Sequence, residues 1–153
     1  MQVIRATTDD FDRWIALARE VEPLFGPMAD EPGFREGLRK TILAGNAYCI
    51  RTESESNGLS LPGGIIISTK KNKIAWLAVS KQFRGQGYGR LLLEHAIGRL
   101  DRSADILVQT FSESVPGGQA ARNLYMSLGF TDQKDAGLNP AELQTVILCL
   151  SPN

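Results

Sequence analysis

The chain has 153 residues, 42% hydrophobic and 22% charged, which is room for one domain with a sizeable core and a squeeze for two. Lys plus Arg (17) equals Asp plus Glu (17), so attachment to nucleic acid through bulk charge is excluded and any anion site must be local. No apolar run approaches the roughly 18 residues that span a bilayer, and Met1-Gln2-Val3-Ile4-Arg5 lacks the charged start and apolar core of a signal peptide. Cys49 and Cys149 each sit in an apolar, strand-like run and read as free, buried thiols in a reducing compartment. The expectation is a soluble, cytoplasmic protein without membrane or nucleic-acid partners and without a metal.

Gln2 to Ala6 reads as a short opening strand. Thr7 suits a helix cap, with Asp10 completing a weak capping box. Phe11, Trp14, Ile15, Ala18 and Val21 share one face at helical spacing, which predicts an amphipathic helix from Thr8 to about Leu24, ended by Pro23, Gly26 and Pro27. Pro32 fits the first turn of a second helix that buries Phe34, Leu38 and Ile42 and stops at Gly45. Ala47 to Thr52 is a strand, and Glu53 to Gly58 a solvated connection. Gly64 to Thr69 and Lys73 to Val79 form a hairpin around the wet turn Lys70-Lys71-Asn72. The second of these runs is apolar throughout, as a central strand covered on both faces would be.

A helix then runs to about Leu100 with Leu92, Leu93, Ala96, Ile97 and Leu100 inward. Asp105 to Phe111 is a strand, Ala120 to Leu128 a short helix, and Phe130 to Gln133 and Leu143 to Leu150 close the sheet. The order β-α-α-β-β-β-α-β-α-β-β predicts an α/β fold, a mixed sheet with helices on both faces, spanning residues 1–153 as one domain.

The most informative stretch is Arg84-Gly85-Gln86-Gly87-Tyr88-Gly89, where a strand ends and a helix begins. Between Ser80 and Leu93 stand Lys81, Arg84 and Arg90 and no carboxylate. Glycine permits positive φ and leaves nothing between backbone N–H groups and a ligand. The first N–H groups of a helix lack intrahelical partners, and the dipole adds positive charge there. Together these make a cradle for phosphate. A P-loop would need Lys-Ser/Thr after the last glycine, where Arg90 and Leu91 stand. A dinucleotide fingerprint starting at Gly85 would want glycine at Arg90, and its carboxylate should end the second strand, whereas Asp105 begins one.

Arg84, Gly87 and Gly89 fill the pattern Arg/Gln-x-x-Gly-x-Gly/Ala, preceded by Leu77-Ala78-Val79 and followed by Leu91-Leu92-Leu93. This resembles motif A of the GNAT family of acetyl-coenzyme A-dependent acetyltransferases. Further along, Ala120-Ala121-Arg122-Asn123-Leu124-Tyr125-Met126-Ser127-Leu128-Gly129-Phe130 resembles the family's motif B. The resemblance covers roughly residues 64 to 150 and implies a GNAT-like, mostly antiparallel sheet. It implies acetyl-coenzyme A as acetyl donor, with its pyrophosphate on the backbone of Arg84, Gly85, Gln86, Gly87, Tyr88 and Gly89 beside Arg90. The pantetheine arm would lie along Leu77, Ala78 and Val79, and a backbone N–H of the central strand would meet the oxyanion. Tyr125 matches the tyrosine that protonates the departing thiolate in many members. The implied reaction is transfer to a primary amine (small molecule, amino acid or peptide amino group) by direct attack in a ternary complex.

Two features depart from the pattern. Motif B usually carries asparagine where this chain has Gly118, and the central strand offers no glutamate as general base, Trp76 standing where a polar group is often found. Glu113 or a water relay could serve instead, but Glu113 reads first as a solvated loop carboxylate, and the base is unassigned. His95 lies in the helix after the turn and reads as structural. The acceptor pocket would take its walls from Phe25 to Glu31 and Ala136 to Pro140, with Asp30 and Glu31 suited to a cationic amine and Phe25, Met28 and Leu138 to an apolar one. A non-catalytic acyl-coenzyme A-binding module and an unrelated nucleotide-binding protein are the competing readings. Homodimers occur in the family, although no residue here demands one.

Overall fold

The computed structural model describes residues 2–51 and 60–153. The connection from Glu53 to Gly58 lies outside the described residues. Strand β1 (Val3–Arg5) is followed by a 3₁₀ turn (Thr8–Asp10) that leads into α1 (Phe11–Phe25), and then by α2 (Pro32–Leu43) and β2 (Ala47–Ile50). Next come β3 (Gly63–Ser68), β4 (Lys73–Val79), a second 3₁₀ turn (Lys81–Phe83) and α3 (Tyr88–Arg99). Strand β5 (Ile106–Phe111), a third 3₁₀ turn (Pro116–Gly118), α4 (Gln119–Ser127), β6 (Thr131–Leu138) and β7 (Gln144–Leu150) complete the chain. The element order is the one the sequence predicts.

The strands form one sheet in the order β1-β2-β3-β4-β5-β7-β6. Only β4 and β5 pair in parallel; the other neighbours are antiparallel. One face carries α1 and α2, whose Trp14, Leu17, Ala18, Leu38 and Ile42 form one core with Ala47 and Cys49. The opposite face carries α3 and α4, whose Leu92, Leu93, Ala96 and Tyr125 pack on Ile65, Ile74, Val108 and Leu148. Burial of these apolar faces is the main term holding the layers together. Cys49 and Cys149 are buried and unpaired, and burial pushes the Cys49 thiol up to about 12. No helix among the described residues is long and apolar enough to cross a membrane.

Local differences from the expectation have physical causes. Pro23 sits inside the last turn of α1 rather than ending it, and Gly26 at φ 97° terminates the helix. Thr7 N–H donates to Asp10 Oδ2 (2.8 Å), so the capping interaction forms on a 3₁₀ turn ahead of α1. Strand β6 reaches Leu138, five residues beyond the predicted Gln133. It is an exposed edge strand held by main-chain pairing to β7, so no apolar alternation announced it.

Candidate active site

Strand β4 determines the site. Lys73 pairs with Leu107 and Ile74 with Val108, and the β4–β5 ladder ends there. Beyond that point β5 stays paired to β7 out to Phe111 while β4 stays paired to β3 out to Val79, so the two strands part. Ala75 is the extra residue in a bulge, because Ile66 faces Trp76 whereas Ile67 faces Ile74. The bulge shifts the side-chain phase: Ile74 packs with the α3 core, and Trp76, which would otherwise share its face, packs with α1.

Main-chain direction past the bulge follows from the same register. Ser80 N–H donates to Pro62 O at 2.8 Å, so Ala78 and Trp76 belong to the hydrogen-bonded pairs of β3 and β4. The N–H and C=O of Leu77 and the N–H of Val79 therefore turn toward β5, which is no longer within pairing reach. The Val79 carbonyl is already used: Arg84 Nε donates to it at 3.2 Å, folding the guanidinium back over the strand end.

The glycine turn sits at that strand end. Ser80 Oγ donates to both Glu20 carboxylate oxygens (3.1 Å each) and Lys81 N–H to one of them (3.1 Å), which fastens the joint to α1. The stretch has no carboxylate of its own, but it receives this one. Gly85 at φ 76° and Gly87 at φ 86° take the left-handed conformation, and a Cβ on either would meet nothing within 4 Å. Here glycine is required by backbone angle, and the space before it is open. Gly87 caps α3, leaving the first-turn N–H groups free to face a ligand. Arg90 hydrogen-bonds Ser127 Oγ (3.4 Å) and pairs with Glu94 (3.5 Å), and both Arg84 and Arg90 are exposed. Phe83 stacks on Tyr88 with centroids 5.4 Å apart.

A cleft of about 560 Å³ joins these parts. It brings together Leu77, Ala78, Val79, Arg84, Gly85, Gly87, Tyr88, Gly89, Arg90 and Tyr125. Gln86 is the exception among the predicted residues: its side chain stays outside and donates to Gln82 O (3.3 Å). Tyr125 reaches the cleft from α4, is 4% exposed and packs edge-on against Phe130. Burial pushes its phenol well above the ordinary tyrosine value, so the proton stays on at any physiological pH.

Several expectations change, while His95 as a structural residue and Lys70-Lys71-Asn72 as a wet turn stand as the sequence reads them. Glu113 lies away from this cleft, in a small polar recess with Arg122 and Asp132. Asp30 is held by Arg19 through two hydrogen bonds (2.9 and 3.1 Å), and neither it nor Glu31 lines the cleft. Met28 is buried in the α1–α2 core and Leu138 points to solvent, whereas Phe25 does line the cleft. Lys70, Lys71 and Lys73 sit at the start of β4, the far end from the glycine turn. His95 stacks on Tyr48 (4.6 Å) on the α3 side, outside the cleft. Gly118 cannot carry an asparagine side chain in this packing, since a Cβ there would lie 2.3 Å from Phe111 Cβ.

Sequence reading missed Gln109, Thr110 and Thr145, which line the cleft from β5 and β7. Their signal was weak: polar residues in strands that are otherwise apolar, with no motif around them. Trp76, standing where a polar group is often found, lines the cleft and joins Trp14 (5.6 Å), Phe25 (5.8 Å) and Phe34 (6.3 Å) in an aromatic cluster.

Residues 45–132, more than half of the chain, match the family model described as the acetyltransferase (GNAT) domain. The chain belongs to the GNAT family and is an acyltransferase. A search of curated proteins finds none with significant sequence similarity. Among solved structures, a GNAT acetyltransferase from Bacillus cereus is 16% identical, with TM-score 0.71 over 99% of this chain and 97% of its own. The NatC complex bound to Gag peptide and coenzyme A contains a chain 20% identical, with TM-score 0.73 and full coverage (100%) of both. The PaiA N-acetyltransferase of Thermoplasma acidophilum, in complex with coenzyme A, is 15% identical with TM-score 0.70, covering 95% of this chain and 96% of its own. At such identities the likeness is one of fold.

Proposed function

We propose that residues 1–153 act as one acetyltransferase domain that moves an acetyl group from acetyl-coenzyme A to a primary amine, with both substrates bound at once. The observation that carries this reading is the opening between β4 and β5, with the glycine turn at one rim and Tyr125 at its wall. Coenzyme A bound to the T. acidophilum and NatC neighbours supports the donor, and the NatC peptide makes peptide amino groups one acceptor class to test.

The residues present fit the donor. Gly85 and Gly87 open a cradle that any side chain would fill, and the N–H groups of residues 85–89 are the donors for its diphosphate. Arg84 and Arg90 add positive charge beside it, and Gln86 contributes through its main chain. Leu77 N–H and C=O and Val79 N–H are placed to pair with an extended amide-bearing arm as a missing strand would. Ala78 contributes a small buried side chain that keeps this edge close to α1.

Acetyl-coenzyme A supplies the activated acyl group. The chain's own tasks are to hold it, to aim an unpaired β4 N–H at the carbonyl oxygen, and to give the Tyr125 proton to the departing sulfur. The phenol suits that last task because burial keeps it protonated until charge develops next to it. No carboxylate or imidazole lines the cleft among the described residues. The amine therefore enters uncharged or loses its proton to water. Reduced, buried cysteines agree with a cytoplasmic setting.

The test is release of free thiol from acetyl-coenzyme A across a panel of amines, amino acids and peptide amino groups, with acetylated product identified by mass. Acceptor-dependent release supports the reading. Tight coenzyme binding with no release from any acceptor would contradict it.

A further inference from the structure

The acceptor end of the cleft differs in chemistry from the donor end. Its walls are Leu24 and Phe25 from the end of α1, Trp76 from β4, Phe111 from β5, and Asn139 and Pro140 from the β6–β7 connection. Phe25 touches both Trp76 (5.8 Å) and Phe111 (5.9 Å), so the aromatic rings form one continuous wall. The titratable groups lining the cleft among the described residues are Arg84, Arg90, Tyr88 and Tyr125. None is an anion at neutral pH, and the two arginines belong to the glycine-turn end.

The carboxylates of the α1–α2 region do not face a cationic acceptor: Glu31 does not line the cleft, and two others are committed elsewhere. Asp30 is clamped by Arg19, and Glu22 accepts from the N–H groups of Met28 (2.9 Å) and Ala29 (2.8 Å). The α1–α2 and β6–β7 connections also meet across this end. Asn139 Nδ2 donates to Leu24 O at 2.8 Å, and a Cβ on Gly26 would stand 2.5 Å from Pro140 Cβ. An acceptor is thus met by a bounded apolar recess whose neutral polar side is Gln109, on the same face of β5 as Phe111 and hydrogen-bonded to Thr145 Oγ1 (3.0 Å).

We infer that the acceptor is an α-amino group borne by a large apolar residue, rather than a lysine-type side chain or a polyamine. This rests on the reading of the cleft as an acyl-transfer site. Two physical arguments carry it. A second positive charge would be desolvated with no carboxylate to meet it, which is costly, whereas an aliphatic or aromatic side chain gains by covering the ring wall. Without a protein base, the reactive species is the amine that is already neutral. At pH 7 roughly one α-amino group in ten is uncharged, against about one lysine ε-amine in 2,500. The neutral amide next to an α-amino group suits Gln109 better than a charge would.

The experiment compares kcat/KM at pH 7.5, with saturating acetyl-coenzyme A, for phenylalanine amide, a phenylalanine-led tetrapeptide, an alanine-led tetrapeptide, Nα-blocked lysine amide and spermidine. The expected result is a preference of at least about 100-fold for the phenylalanine acceptors over blocked lysine and spermidine, following the neutral fractions. Equal use of amide and tetrapeptide assigns the recess to one residue; better use of the tetrapeptide extends it along the chain, and both support the inference. Blocked lysine or spermidine matching the phenylalanine acceptors overturns the inference while leaving acyl transfer intact. Thiol release from no acceptor overturns both. In Phe25→Ala the preference for phenylalanine-led over alanine-led peptide should fall about 5-fold or more; an unchanged ratio overturns the assignment of the aromatic wall.

Discussion

Leu124 Cδ2 lies 3.1 Å from where a Cβ on Gly89 would stand, so the helix that opens with the glycine turn and the helix that carries Tyr125 meet at a missing side chain. Val79 Cγ2 is 3.6 Å from the same point. Three elements converge on one glycine, and this spaces the anion cradle from the phenol. The three glycines of the turn are therefore not equivalent. Gly85 and Gly87 are needed for their backbone angle and their openness, Gly89 for close packing.

That distinction is testable. Gly87→Ala forces a left-handed alanine, which costs about 1–2 kcal/mol, and puts a methyl group into the cradle. We expect coenzyme A affinity by calorimetry to fall at least about 10-fold with only a modest drop in melting temperature. Gly98→Ala is the matched control. Gly98 is inside α3, exposed, with ordinary φ and nothing within 4 Å of its absent Cβ. It should stabilise the protein by up to about 1 kcal/mol and leave affinity unchanged.

Tyr125→Phe removes a hydroxyl and little else. Turnover should fall by about 100-fold or more with coenzyme binding nearly intact. Because burial raises the phenol's pKa, the protonated form persists as pH rises, so wild-type kcat should show no alkaline limb from this group below about pH 10. Unchanged turnover in the variant would remove Tyr125 from the chemistry.

The acid sensitivity of the fold should trace to Asp10. Burial opposes its charge, but hydrogen bonds from Arg51 Nε (2.8 Å) and Nη2 (2.7 Å) and from Thr7 N–H (2.8 Å) outweigh that and hold the carboxyl below its ordinary value. A folded-state value below the unfolded one means that the stabilisation is present above about pH 4 and is lost as pH falls through the folded value. Asp10→Asn should cost about 2 kcal/mol at pH 7, Arg51 being partly exposed, and flatten the melting temperature's dependence on pH in the acid range. Thermal melts of both proteins from pH 2 to 7 check the slope.

Gly118 explains the missing motif B asparagine. Restoring it by Gly118→Asn should destabilise the fold by about 1–3 kcal/mol through overlap with Phe111, without improving coenzyme affinity. A variant as stable as the parent would show that the third 3₁₀ turn can shift away from β5.

What was legible in the sequence is what is encoded locally. Helical spacing exposed the inward faces of α1, α2 and α3, and alternating glycines marked the strand-to-helix turn. The parting of β4 from β5 was not legible, because it depends on where a strand of distant sequence stops pairing. Nor was the Ala75 bulge, which nothing in Ile74-Ala75-Trp76 distinguishes from a regular strand. Gly64 is a further case: a Cβ there would lie 2.7 Å from the Trp14 ring, a fit between strand and helix that only the packed chain reveals. The recess beyond β4 was legible in part, through Phe25, Asn139 and Pro140, whereas the shares of Leu24, Trp76 and Phe111 depend on how four separate stretches of chain meet.

The most direct measurement is a crystal structure with acetyl-coenzyme A bound. The account predicts the diphosphate within about 3 Å of the main-chain nitrogens of residues 85–89, the arm paired to Leu77, and the thioester sulfur in reach of Tyr125 Oη. Phosphates resting away from that turn, or a thioester far from the β4–β5 opening, would contradict it.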